Sequence, residues 1–113
     1  MKIVKKSEAR SVCNGKDCLV IEYPLGFNDI NGAVGILSGR YPSKGYATNS
    51  KCKELVYVIA GSGILVVNGE TLDLKEGDLV CVEPGEKYYF DAHMTIFMPC
   101  VPAWNENQYK ISE

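Results

Sequence analysis

Hydrophobic residues recur along the chain in short runs, and turn-forming residues separate one run from the next. The clearest runs cover residues 54–59, 64–67, 79–83 and 95–98. Between Thr71 and Leu74 apolar and polar residues alternate, which is the period of a strand with one buried face. No stretch repeats its apolar residues at helical spacing. Short strands at intervals of roughly eight to twelve residues predict an all-β sandwich or barrel.

Two Asn-Gly pairs predict tight hairpins, because this pair readily adopts the positive φ angles that such turns need. They are Asn14-Gly15 and Asn68-Gly69. If the first loop spans residues 14–17, Cys13 and Cys18 face each other across the strands, close enough to be bridged if oxidised. The alternative is two small residues at the root of a turn.

The remaining turn-forming residues divide the chain into further strands. Proline at position 24 ends the second strand, and residues 33–41 form the third. We expect turns at residues 61–63, 75–78 and 84–85, and another turn around His93 between strands 87–90 and 95–98. The tail, residues 102–113, carries the single tryptophan, and we expect it to pack outside the barrel or against a neighbouring subunit.

The composition predicts an ordinary soluble domain. The chain has 113 residues, 46% hydrophobic and 23% charged, with a formal net charge of -2. This length fits one domain, residues 1–113, with an N-terminal hairpin at 8–24. The charge gives no electrostatic reason to bind nucleic acid, and no apolar run is long enough to cross a membrane. Five cysteines, an odd number, favour a reducing compartment, and we expect the cytoplasm.

Two segments share the glycine spacing of a known family. Glu54 and Gly61 keep the end of its first motif, and Gly77 and Gly85 fit its second motif. With its core motifs at about residues 40–98, the chain resembles the cupins. The resemblance implies a double-stranded β-helix, a jelly-roll-like barrel. It also implies a homodimer, because small cupins are commonly dimers.

The motifs have lost most of the residues that bind metal in many cupins. Counting along the motifs puts Thr48, Ser50 and Tyr88 where histidines would stand, and only Glu54 keeps a metal-binding residue type. Divalent transition metals prefer imidazole and thiolate to lone hydroxyls, so we expect no metal and no cofactor. An unorthodox site remains the alternative. Its donors would be Glu54, His93, Cys52, Cys81 and Cys100.

What the resemblance leaves is a pocket with a changed lining. Strand alternation places Val56 and Val58 on the face of Glu54, and Phe90 on the face of Tyr88. A small-molecule ligand would then meet a few polar groups over an apolar floor. The predicted ligand-binding residues are Arg40, Thr48, Ser50, Glu54 and Tyr88.

Three functions remain open. The first is a cupin that binds a small polar organic ligand without a metal, as a binding or sensing module. The second is an enzyme, either a metal-independent isomerase, epimerase or dehydratase that uses Glu54 and Tyr88, or a metal cupin with unusual ligands. The third is a structural dimerisation module, whose barrel would be filled by Tyr88, Phe90 and Met98.

Overall fold

The chain folds almost entirely into strands. A computed structural model describes residues 1–113. Two single-turn 3₁₀ helices, Lys6–Glu8 and Glu106–Gln108, are its only helices, so no helix is long and apolar enough to span a membrane. The nine strands are β1 (Arg10–Cys13), β2 (Cys18–Glu22), β3 (Asn31–Tyr41), β4 (Tyr46–Asn49), β5 (Lys53–Val67), β6 (Glu70–Lys75), β7 (Leu79–Val82), β8 (Tyr88–Val101) and β9 (Tyr109–Ser112).

The two longest strands, β5 and β8, organise the sheet. They pair antiparallel over most of their length, and β3 pairs with the other edge of β8. Strand β2 joins β3, and β1 joins β2. Strands β6 and β7 pair with β5, while β4 pairs with the start of β8 and β9 pairs with β4. The curled sheet forms an all-β barrel around one core, as the sequence predicts.

Alternation along the strands decides what the barrel contains. Val56 and Val58 are fully buried, and Tyr57 between them faces outward. On β8 the inward positions include Phe90 and Ile96. Because successive side chains point to opposite faces of a strand, alternate residues enter the core over residues 54–58 of β5 and 88–96 of β8. The face predicted for Glu54, with Val56 and Val58 beside it, is confirmed.

The predicted turn at residues 61–63 is wrong, because β5 runs straight through it. The pairing with β8 shifts by one residue between Val58 and Ala60, and this irregularity lets the strand bend without ending. Gly61 has a φ of +87°, and a Cβ there would lie 2.2 Å from the backbone oxygen of His93. The motif glycine is therefore required by backbone conformation and by close strand approach.

The predicted turn around His93 is also wrong. Strand β8 is continuous from Tyr88 to Val101, and His93 pairs with Ser38 on one side and Ser62 on the other. Its side chain is exposed on the outer face. Polar residues at outward positions of a long strand gave the appearance of a loop.

The Asn-Gly pairs form hairpins, but the first loop is one residue longer than predicted. Asn68 and Gly69 have φ angles of 48° and 82°, as their turn requires. In the first hairpin Cys13 pairs with Leu19, so the loop extends to Cys18. Cys13 is exposed while Cys18 is buried, which contradicts the expectation that the two face each other.

Candidate functional site

The barrel encloses a cavity of about 490 Å³. This lies within the range of roughly 300–1,000 Å³ that is usual for small-molecule sites. Strands β2, β3, β5 and β8 line it together with the C-terminal tail. Tyr88, Phe90 and Met98 lie in its wall rather than filling it. The structure therefore does not favour the hypothesis of a solid structural barrel.

Glu54 is the buried acid of this cavity. It is the second residue of β5, at an inward position, and only 7% of its surface is exposed. The Cys100 thiol donates to Glu54 Oε2 at 3.3 Å. The two ion pairs of the structure, Arg10–Glu22 and Lys53–Glu83, leave it without a cationic partner. Burial raises the pKa of Glu54, and the thiol hydrogen bond lowers it by less.

Tyr88 lies in the same cavity wall. It is buried at the start of β8, and its ring meets Phe90 edge-on with centroids 5.8 Å apart. Burial raises the pKa of Tyr88 well above its ordinary value, and the nearby Glu54 raises it further. At neutral pH Tyr88 is therefore a phenol that can donate a hydrogen bond, and it is not a base.

The thiols in the cavity are held in the protonated form. A hydrogen bond with Cys52 and burial both raise the pKa of Cys100. Burial raises the pKa of Cys18 to about 11. A thiol that stays protonated is a poor nucleophile and a poor metal ligand. Cys52 is also buried but is not in the cavity wall, and its hydrogen bond with Cys100 lowers its pKa. Among these groups of the cavity wall, Glu54 is the one whose ordinary pKa lies below neutral and is raised toward it.

The C-terminal tail forms part of the wall, which the sequence did not predict. The backbone of Trp104 exchanges two hydrogen bonds with the Asn31 side chain, at 2.8 and 3.0 Å. Its indole N–H donates to Asn49 Oδ1 at 2.9 Å. Tyr109 packs against the indole, and its hydroxyl hydrogen-bonds to that of Tyr41. The sequence feature that could have indicated this role of the tail is its single tryptophan among mostly polar residues.

Of the predicted ligand-binding residues, the structure brings Glu54 and Tyr88 together on the cavity. Thr48 and Ser50 do not line it. The inward positions of β4 are Ala47 and Asn49, both buried, so the first motif is shifted by one residue from the predicted register. Thr48 faces away and Ser50 is exposed, which corrects their expected position.

Arg40 also lies outside this cavity. Its position on β3 faces outward, and its guanidinium donates to the backbone oxygens of Pro42 and Gly45 at 2.6 and 3.2 Å. It lies over the ring of Tyr89, 3.9 Å from the centroid. These contacts stabilise the turn before β4, so the predicted position of Arg40 among the ligand-binding residues of this cavity is corrected. A role in ligand binding stays a prediction for Glu54 and Tyr88.

The residues present do not fit the metal centre of many cupins. The positions where histidines would stand hold Ala47, Asn49 and Tyr88, of which none is an imidazole or thiolate. No group of three His, Cys, Asp or Glu side chains is placed to hold an ion. His93 and Cys81, the unorthodox donors, are exposed on the outer face. Only Cys100 is hydrogen-bonded to Glu54.

A family model described as a cupin domain matches residues 42–96. This chain is a cupin. No curated protein matches the cupin in sequence.

Solved structures share its fold. The nucleoside dehydratase Pac13 aligns with a TM-score of 0.90 at 17% identity, covering 100% of this cupin and 92% of that chain. A Streptomyces Pac13 variant is known with uridine. An RmlC-like cupin from Shewanella frigidimarina aligns at 0.72 with 18% identity, over 91% of each chain. The polyketide cyclase RemF from Streptomyces resistomycificus aligns at 0.70 with 16% identity, over 89% and 79%.

Proposed function

We propose that this cupin binds a small polar organic molecule in its barrel and catalyses proton transfer on it without a metal, as a dehydratase or isomerase. One observation carries the proposal. Glu54 is a buried carboxyl with no cationic partner that lines the cavity, and its pKa is raised. A carboxyl tuned toward neutral pH is what general acid–base catalysis requires.

The neighbouring groups suit such a step. In a dehydration, Glu54 would donate its proton to the leaving hydroxyl, which departs as water. The resulting carboxylate would then take a proton from the adjacent carbon, so that the C–O and C–H bonds are replaced by a double bond. The Tyr88 phenol would donate a hydrogen bond to the oxygen of the departing hydroxyl and so assist its loss. The enzyme ends in its starting protonation state.

The fold comparison supports the barrel cavity as a place for catalysis. Pac13 is described as a nucleoside dehydratase and RemF as a polyketide cyclase. Because their identity with this chain is low, the likeness is one of fold alone. It supports the cavity as a site where a substrate could react, and it assigns no role to any residue.

Ligand binding without turnover is the second candidate. It is favoured because one phenol and two thiols that line the cavity beside Glu54 stay protonated. The pKa values of Tyr88, Cys18 and Cys100 are all raised. A cavity with a single exchangeable proton can hold a ligand as a sensor would, through a few hydrogen bonds over an apolar wall.

Deuterium exchange separates the two candidates. Small hydroxy acids, sugars and nucleosides would be screened by thermal shift, and compounds that bind would be followed in D₂O by proton NMR. We expect deuterium incorporation or loss of water for at least one ligand. In Glu54→Gln the rate should fall by roughly 10²-fold or more, while the dissociation constant changes only a few-fold.

The control is Glu83→Gln, which removes an exposed carboxyl. It should behave as the wild type. Full turnover in Glu54→Gln would refute the acid–base role. Binding without any exchange in the wild type would leave the binding module as the function.

We also propose that the outer sheet face joins two copies in a homodimer. Leu79, Tyr57 and Phe97 are direct neighbours across β7, β5 and β8. They are 60%, 43% and 41% exposed. A row of large exposed apolar side chains on adjacent strands is a feature of interaction surfaces. Light scattering coupled to size-exclusion chromatography tests the mass of the assembly.

A further inference from the structure

The cavity wall is rich in aromatic side chains. Six lining residues carry rings: Tyr23, Tyr41, Tyr88, Phe90, Trp104 and Tyr109. Flat rings supply apolar surface that packs well against another ring. The available proton, on Glu54, lies in the same cavity. The site therefore combines aromatic surface with one reactive carboxyl.

The polar atoms of three aromatic side chains in this wall are committed to protein partners, although the wall also includes Asn14, Asn105 and Glu106. The hydroxyls of Tyr41 and Tyr109 bond to each other. The indole N–H of Trp104 is committed to Asn49. A sugar or an acyclic polyol would need many hydrogen-bond partners to replace its water, since a buried polar group without a partner is costly. The aromatic residues add apolar surface to the same wall, which a ring of the ligand can contact without needing polar partners.

Trp104 is held in place by two asparagines from different strands. Asn31 of β3 binds its backbone on both sides, through N–H and C=O. Asn49 of β4, only 3% exposed, accepts from the indole. Tyr109 packs against the ring, with centroids 5.6 Å apart. A surface fixed before binding loses little conformational entropy when a ligand arrives.

From these contacts we propose that the cavity selects a molecule with a planar aromatic or heteroaromatic ring, which packs on Trp104 and directs a hydroxyl-bearing group toward Glu54. Trp104 is then the residue that determines specificity. This inference rests on the proposed function in that it uses the same cavity and the same reactive carboxyl. The ring can belong to a nucleoside or to a hydroxylated aromatic acid, and the experiment below separates these sources.

The protein carries its own probe, because Trp104 is its only tryptophan. Its fluorescence would be titrated with uridine, with salicylate and with ribose under the same conditions. We expect a saturable change with at least one ring compound and none with ribose. Saturation with uridine alone assigns a nucleoside, and saturation with salicylate alone assigns an aromatic acid. Ribose binding as tightly as the ring compounds, or no response to either ring, would overturn the proposal.

Two variants separate stacking from structural support. Trp104→Phe keeps a flat ring and Trp104→Leu keeps only apolar bulk, while both lose the bond to Asn49. By calorimetry with the better ring compound, the Leu variant should bind roughly tenfold weaker or worse, and the Phe variant within a few-fold of wild type. Equal losses in the two variants, at matched thermal stability, would refute stacking.

Glu54→Gln distinguishes this inference from the proposed function. The variant should keep the fluorescence response to the ring compound while losing proton exchange. If it keeps the response and wild type shows no exchange, the catalytic proposal fails and the ring specificity stands. If Glu54-dependent exchange occurs on an acyclic acid and is indifferent to Trp104→Leu, the ring specificity fails and the catalytic proposal stands.

Discussion

Gln108 connects the tail to the segment that leads into Glu54. Its buried side-chain oxygen accepts from the backbone N–H groups of Cys52 and Lys51, at 2.8 and 3.0 Å. Its backbone oxygen accepts from Ser50. Replacing Gln108 with Leu keeps a side chain of similar bulk and removes the acceptor. The two amides at the entry to β5 then lose their partner.

The expected cost follows from burial. The Cys52 amide is buried, and leaving it unpaired costs roughly 1–3 kcal/mol. The Lys51 amide is partly exposed, so water can replace its partner at a cost of about 0.5 kcal/mol. Gln108 Nε2 is itself buried without a partner, so its removal returns about 1 kcal/mol. The net loss is about 1.5 kcal/mol, or roughly 6 °C in Tm for a domain of this size.

Urea unfolding followed by Trp104 fluorescence measures this loss, with a thermal scan beside it. Asn107→Ala is the control, because its exposed side chain lies on the same single-turn helix. It should unfold within about 0.5 kcal/mol of wild type. A Gln108→Leu variant as stable as the control would refute the reasoning that the tail stabilises the entry to β5.

Three further predictions concern the acid, a motif glycine and the outer face. Because the pKa of Glu54 is raised above its ordinary 4.5, the folded state binds more protons than the unfolded state above that pH. Wild-type stability should therefore fall as pH rises through the folded pKa. Paired urea titrations should show that the stability of Glu54→Gln increases relative to that of the wild type as the pH rises from 4.5 through the folded pKa. A relative loss of stability in the variant would contradict the raised pKa.

Gly61→Ala should cost about 2 kcal/mol or more in urea unfolding, because it adds a clash to an unfavourable φ. Gly85→Ala, with φ of +84° and open space around it, should cost only about 1–2 kcal/mol. Equal costs would refute the clash. Phe97→Lys should halve the mass measured by light scattering, whereas a wild-type monomer would remove the proposed dimer.

The sequence predicted the fold well because strand signals are local. The period of two along residues 71–74 and the Asn-Gly pair at 68–69 appear in the structure as β6 and its hairpin. The apolar run at residues 79–83 appears as β7, Leu79–Val82. Each of these signals depends on neighbours in the chain, which the sequence shows directly.

The breaks between strands were harder to predict. Residues 61–63 and the segment around His93 looked like turns, yet they belong to long strands that pair with each other. A glycine that permits close approach and a glycine that permits a turn give the same signal in sequence. Only the pairing of two distant strands distinguishes the two.

The site was predicted in part. Glu54 and Tyr88 meet on the cavity because each follows a simple alternation. Thr48 and Ser50 were misplaced because the motif was read with its histidine positions one residue too far along the chain, and one residue reverses the face of a strand. The role of Trp104 depends on Asn31 and Asn49, far apart in sequence, so no local pattern could have shown it.

The localisation in the cytoplasm and the lack of a cofactor stay predictions.

The proposed chemistry depends on Glu54 holding a proton that free glutamic acid would have released. Carbon-13 labelled glutamate and an NMR pH titration measure this directly, with Glu54→Gln identifying the signal. We expect Glu54 to titrate above the ordinary value of 4.5, because burial raises its pKa. A Glu54 carboxyl that titrates at or below that value would contradict the proposal.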